Sequence, residues 1–150
     1  VDFIKITDID LWMLDIEQLI EKHYQELTLD KDVMTLAPSW SIYRKRIEDG
    51  SMVATGIKHD GRLIGYCVWF LSQHLHYEHN TVANNDVLFI DAEHRKGMLG
   101  IKFIKYQEQV LQELGVSKVL WHVKLARDFR KILHRMGYHD EDIIVGKALK

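Results

Sequence analysis

Apolar residues recur along the chain with two periods, and the changes between them mark out its elements. Alternation over residues 3–6 fits a short strand, and Thr7 with Asp10 three residues on has a capping-box pattern. Ile9, Trp12, Ile16, Leu19, Ile20 and Leu27 then fall on one helical stripe, which predicts a helix to about residue 27. Residues 29–37 read as a loop closed by Pro38, the only proline, and Ser39 can cap a helix holding Trp40, Tyr43 and Ile47 as far as Gly50. Residues 52–58 and 62–71 read as strands around His59-Asp60-Gly61, because Asp-Gly suits a tight hairpin turn. The polar, histidine-rich stretch 73–80 reads as a turn or hairpin tip.

The next strand starts at Val82 or Asp86 and ends at Ile90. Phe103, Ile104, Val110, Leu111 and Leu114 share one face of a helix over 101–114, stopped by Gly115. A strand over 118–123, a short helix over 127–136 closed by Gly137, and a last strand over 143–149 complete the chain. The order β-α-α-β-β-β-α-β-α-β predicts one α/β (α+β) domain over residues 1–150, with no linker or repeat.

Composition narrows the function classes. The chain has 150 residues, 47% hydrophobic and 28% charged, enough to bury a core. A net charge of −2 supplies no field for nucleic acid or an anionic membrane, and the basic run Arg44-Lys45-Arg46 is too short to change that. No apolar run is long enough to span a bilayer, and no signal-peptide pattern opens the chain. The single cysteine, Cys67, leaves no intramolecular disulfide and fits a reducing compartment, so a cytoplasmic location is expected. His74, His76 and His79 have a spacing that could hold zinc, but no cysteine is near and Glu78 is the nearest acid. No metal is expected, and a histidine-cluster metal module is a weaker rival reading.

The most telling stretch is Ile90-Asp91-Ala92-Glu93-His94-Arg95-Lys96-Gly97-Met98-Leu99-Gly100, which joins a strand to a helix. The first N–H groups of a helix are unpaired and its dipole favours negative charge, so this turn suits a phosphate. Element order, length and this strand–turn–helix unit resemble the GCN5-related N-acetyltransferase (GNAT) superfamily across nearly the whole chain. There the turn reads Gln/Arg-x-x-Gly-x-Gly/Ala; here Arg95 and Gly100 match the outer positions, Met98 stands for the middle glycine, and Gly97 comes one place early. Trp121-His122-Val123-Lys124, Asp128-Phe129, Leu133 and Gly137-Tyr138 further resemble the ending of small GNAT proteins of tailed phages, which would put the chain in the host cytoplasm.

The resemblance implies a mixed, mostly antiparallel sheet with central parallel, splayed strands, flanked by helices. It implies acetyl-CoA as acyl donor, with Arg95, Lys96, Gly97, Met98, Leu99, Gly100 and Ile101 around its pyrophosphate. The backbone of Leu88, Phe89 and Ile90 would meet the pantetheine arm and polarise the carbonyl. The acceptor would be a primary amine of a small molecule or a protein, attacking directly, and a homodimer is an assembly the family allows. The tyrosine that commonly protonates the departing thiolate is replaced by Leu133. A catalytically degenerate GNAT-fold binding protein, or a phage virion-associated one, is the alternative reading.

Two residues are candidates for the proton transfers. Asp86, on the strand before the turn, is the best-placed base, although an aspartate after Asn84-Asn85 also suits a turn cap; alternation puts it on one face with Leu88 and Ile90. His122 has an imidazole near working pH and lies opposite the splay, where a core histidine bonded to backbone is the competing reading. His134 ranks below it, Asp128 most simply caps the short helix, and Cys67 reads as packing. Trp40, Tyr43, Tyr138 and Glu141 are the guesses for acceptor contacts.

Overall fold

The computed structural model describes residues 1–150, His74 through its backbone alone. The strands are β1 (Asp2–Lys5), β2 (Met52–His59), β3 (Arg62–His74), β4 (Tyr77–Ile90) and β5 (Lys118–Leu120). The helices are α1 (Met13–Leu27), α2 (Trp40–Glu48), α3 (Leu99–Glu113) and α4 (Arg130–Arg135). One sheet of order β1-β2-β3-β4-β5 runs through the molecule, antiparallel except between β4 and β5. No helix among the described residues is long and apolar enough to cross a membrane.

Strand periodicity divides the core into two layers. Along β3, Tyr66 and Val68 join Ile16, Leu19, Met52, Val87 and Phe89 under α1 and α2. Cys67 and Trp69 point the other way, into a layer with Ile57, Ala83, Phe103 and Leu111 beneath α3. A polar knot sits inside this second layer. The Gln107 side-chain carbonyl accepts from Thr55 Oγ1 at 2.9 Å and Trp69 Nε1 at 3.1 Å, while its amide donates to the Phe103 carbonyl at 3.2 Å. All the buried polar atoms of Gln107 are thereby paired, as a dry interior requires.

Long-range pairs fix the helices. Asp15, 7% exposed, accepts from Arg62 Nε at 2.5 Å and the Leu63 N–H at 3.0 Å, pinning α1 to the β2–β3 hairpin. Arg44 of α2 grips Asp10 through Nε at 3.0 Å and Nη2 at 2.7 Å.

Three expectations need correcting and one is narrowed. The first helix opens with a 3-10 turn over Asp10–Trp12, and it is Asp8, not Thr7, that accepts the Asp10 N–H, at 3.0 Å. Of the two readings of residues 73–80, the simple turn gives way to the hairpin tip: β3 and β4 extend into the stretch, leaving only Leu75 and His76 between the strands. Pairing in β5 stops at Leu120, short of Val123. The expected strand over 143–149 is absent, and Ile143, Ile144 and Val145 are 92%, 77% and 90% exposed. β-Branched residues favour strands only where a neighbouring strand and a packing surface receive them.

Candidate active site

The site is prepared by one extra residue in β4. Val68 of β3 faces Val87, but Trp69 faces Asn85, so Asp86 is left over as a β-bulge. The Asn85 side-chain amide holds the kink by donating to the carbonyls of Val68 at 3.3 Å and Val87 at 3.0 Å. Bulges bend a strand and end pairing on it. Accordingly β5 pairs with β4 at Val82, Ala83 and Asn84 and then leaves it. From Asn85 to Ile90 no strand pairs with that edge of β4 among the described residues.

Which backbone groups face the opening follows from alternation. The Asp91 N–H donates to the Ile64 carbonyl at 2.8 Å, so Asp91, and Phe89 two residues back, turn their N–H groups toward β3. The N–H groups of Leu88 and Ile90 therefore face the gap. Phe89, included among the residues expected to offer backbone there, instead contributes its ring to the α1 side of the core. The Ile90 carbonyl, also on the gap side, is taken by Arg95 Nε at 2.7 Å.

The bulge also overturns the expected face of Asp86. Leu88 and Ile90 pack into the α3 layer, whereas the charge of Asp86 acts on Tyr43 and Tyr66 of the α1–α2 layer. The extra residue breaks the two-residue parity on which the expected face rested, and Asp86 sits at the switch between the two layers. Partial desolvation raises the Asp86 pKa although the side chain still reaches solvent, and the positive charges of His122 and Lys124 pull the other way. Asp86 and His122 thus act on one another across the divergence. His122 is exposed on the extended segment after β5, not a core histidine. Its neighbour Trp121 turns inward, edge-on to Trp69 at 4.5 Å.

The turn after β4 carries the residues expected around a pyrophosphate. Gly97 adopts φ +59, a left-handed conformation that L side chains seldom take, while Met98 at φ −95 and ψ 7 sits where most residues can. The early glycine is where the backbone needs it, and the Met98 side chain is 55% exposed. The first internal helical bond runs from the Lys102 N–H to the Met98 carbonyl at 2.9 Å. This leaves the N–H groups of Leu99, Gly100 and Ile101 at the helix start without internal partners. A Cβ on Gly100 would meet nothing nearer than Ile90 Cδ1 at 4.0 Å. The space over this glycine is open to a ligand, so the residues present fit a diphosphate. Lys96 lines a cleft of about 540 Å³ with His59, Ile64, His94 and Leu99.

The sequence reading missed a set of residues on the α1 side. His23 Nδ1 shares a 2.9 Å hydrogen bond with the Tyr66 hydroxyl, and its ring lies 5.3 Å from Phe89. Burial and the nearby Lys124 lower its pKa. Glu26 binds Arg95 and Arg127. These contacts join α1 to segments far along the chain, and no local pattern announces them.

Other candidates fall away from the opening. Leu133 is 4% exposed, so the position of the missing tyrosine is filled by packing. Tyr138 donates to Glu108 of α3 at 2.8 Å, and burial with that neighbour pushes its pKa up to about 12. Glu141 pairs with Lys118 at 2.9 Å, and His134 with Asp140 at 2.8 Å. Asp128 caps as expected, accepting the Arg130 N–H at 3.0 Å. Cys67 is fully buried and its thiol is pushed well up, which removes it as a nucleophile. The His74 side chain lies outside the described residues, and among those described no group of three or more His, Cys, Asp or Glu is placed to hold a metal ion.

Comparison with known proteins agrees with this fold. The model of the acetyltransferase (GNAT) family matches residues 14–138. No curated protein matches the chain in sequence. Among solved structures, an aminoglycoside acetyltransferase from an uncultured soil metagenomic sample superposes with a TM-score of 0.74 at 14% identity, covering 99% of this chain and 95% of that one. Glucosamine-6-phosphate N-acetyltransferase from Arabidopsis thaliana gives 0.73 at 13% identity, covering 99% and 98%. A predicted acetyltransferase with acetyl-CoA from Clostridium acetobutylicum gives 0.66 at 13%, covering 99% and 96%. At these identities the structural likeness concerns the fold.

Proposed function

Because the chain belongs to the acetyltransferase (GNAT) family, we propose that it transfers an acetyl group from acetyl-CoA to a primary amine of a small molecule or protein by direct attack, with Asp86 as the base. The observation that carries this reading is the coincidence of three features: the bulge at Asp86, the unpaired β4 edge beyond it, and the free amides at the start of α3. Bound acetyl-CoA supplies the thioester that the amine attacks.

Each remaining task falls to this chain's own groups. The amides of Leu99, Gly100 and Ile101 hold the pyrophosphate, with the open Gly100 position allowing close approach. The free N–H groups of Leu88 and Ile90 bind the pantetheine arm and polarise the carbonyl, a role that backbone donors perform without reorganising. Asp86 removes a proton from the ammonium acceptor; its raised pKa makes it a stronger base than an ordinary aspartate. His122, charge-coupled to Asp86, gives a proton to the leaving sulfur and takes in its place the second proton that the nitrogen sheds as the amide forms. With Cys67 buried, no cysteine is available to form an acyl-enzyme.

Thiol release from acetyl-CoA across a panel of amines and peptides tests the proposal. Amine-dependent release that collapses in Asp86→Asn supports it. Equal background rates in wild type and variant, with acetyl-CoA still bound, would favour the binding-only alternative that buried Leu133 motivates.

A further inference from the structure

Glu26 sits on the last turn of α1, 24% exposed, and holds two guanidinium groups that come from opposite sides of the β4–β5 opening. Arg95, from the turn after β4, donates Nη1 and Nη2 to its two oxygens at 2.6 Å each. Arg127, from the segment after β5, donates Nη2 to Oε1. The Arg95 side chain is further fixed by its bond to the Ile90 carbonyl at 2.7 Å and by lying 5.2 Å from the Phe89 ring. Paired, two-pronged guanidinium–carboxylate contacts fix direction as well as distance. Hydrogen bonds from the two arginines draw the Glu26 pKa down to about 2, so the carboxylate is charged throughout the working range.

Among the described residues, no other hydrogen bond or ion pair ties the two lips together beyond Asn84. Backbone pairing between β4 and β5 has ended there, and the sheet no longer sets their separation. One carboxylate between two guanidiniums also leaves a net positive charge beside the free amides of α3. We propose that Glu26 is the positioning residue of the acetyl-CoA cleft: through Arg95 and Arg127 it sets the distance between the turn after β4 and the segment after β5, and so the affinity for coenzyme A. This rests on the reading of the opening as the acetyl-CoA site. Glu26 touches no reacting atom; it acts through its two partners.

Calorimetric titration with coenzyme A, alongside melting temperature, tests it on wild type, Glu26→Gln, Arg127→Gln and the double variant. Glu26→Gln and Arg127→Gln should each weaken coenzyme A binding about tenfold, the worth of one charge-assisted hydrogen bond. The double variant should be no weaker than Glu26→Gln alone, because the residues act as a unit. With turnover as a second readout, KM for acetyl-CoA should rise while kcat changes by less than about threefold. Unchanged Kd in Glu26→Gln, even with a lower melting temperature, would make its role structural and overturn the proposal. So would singles whose effects simply multiply in the double variant. If Glu26→Gln fails to fold, Arg127→Gln decides alone, since Arg127 is half exposed; unchanged affinity there overturns the proposal. Absence of coenzyme A binding by wild type would instead bring down the cleft reading itself.

Discussion

The two halves of β4 differ in every respect that matters here. Ala83, in the half that β5 covers, is fully buried and belongs to the layer of Trp69, Phe103 and Leu111. The half from Asn85 onward keeps one edge bare, carries a bulge, and presents a carboxylate to a small cluster of tyrosine, histidine and lysine side chains. The covered half commits its backbone bonds to the sheet, while the bare half leaves one edge unpaired, the edge that the proposed function assigns to the acetyl donor. Unpaired strand edges are hazardous in a folded protein, and the proposed function answers that hazard by filling this edge with the pantetheine arm.

If this division is right, mutations in the two halves should fail in different ways. The largest effect expected is from Asp86→Asn, which should lower kcat by about 10²–10⁴-fold, the usual worth of a general base. Its stability should move the other way. The folded-state pKa of Asp86 is raised, so ionising it opposes folding; that penalty is absent below the ordinary aspartate pKa and grows as pH rises through the raised value. Melting curves should therefore show Asp86→Asn more stable than wild type at pH 7 and equal to it in strong acid. Lower stability at pH 7 would contradict the placement of this residue.

Next in size, Phe103→Ala should destabilise the fold by about 3–5 kcal/mol by opening a cavity in the layer beneath α3. Denaturant titration measures this, and coenzyme A affinity of the folded fraction should be nearly unchanged. Gly100→Val should do the reverse. The added Cβ would meet no protein atom nearer than Ile90 Cδ1 at 4.0 Å, so the melting temperature should hold, yet coenzyme A binding should weaken by about 10- to 100-fold as amide bonds to a charged group are lost. Equal affinity would show that the phosphate cradle is elsewhere. The smallest effect expected concerns acid. Glu26 has a depressed pKa, so its stabilising contribution is present above the ordinary glutamate range and fades as pH falls toward about 2. Glu26→Gln should flatten the acid side of the melting-temperature profile.

How much of this was legible in the sequence follows the same division. Regular, well-packed parts were written in periodicity: the stripe of α1, the face of α3 and the β2–β3 hairpin all lie close to where the pattern put them. The turn after β4 was legible as a strand–turn–helix unit because Arg95, Gly97 and Gly100 form a local motif, while the positive φ of Gly97 shows only in the structure. The bulge was visible only as a discord. Asn84-Asn85-Asp86 are turn-formers within a strand, and local preference that conflicts with the fold tends to mark a functional or strained site. The parity argument misplaced Asp86 because one extra residue reverses every face beyond it. The Glu26–Arg95–Arg127 cluster and the His23–Tyr66 pair depend on residues 43 to 101 positions apart, which no window of the sequence contains. The C-terminal strand failed for a different reason: Ile143, Ile144 and Val145 carry the propensity, but no neighbour receives them.

Amide hydrogen exchange followed residue by residue in NMR spectra, with and without acetyl-CoA, addresses the bare half of β4 most directly. Slowed exchange on adding acetyl-CoA is expected at Leu88, Ile90, Leu99, Gly100 and Ile101, with the β5-covered residues Val82, Ala83 and Asn84 unaffected. Protection at neither the strand edge nor the helix start, despite bound acetyl-CoA, would contradict the account.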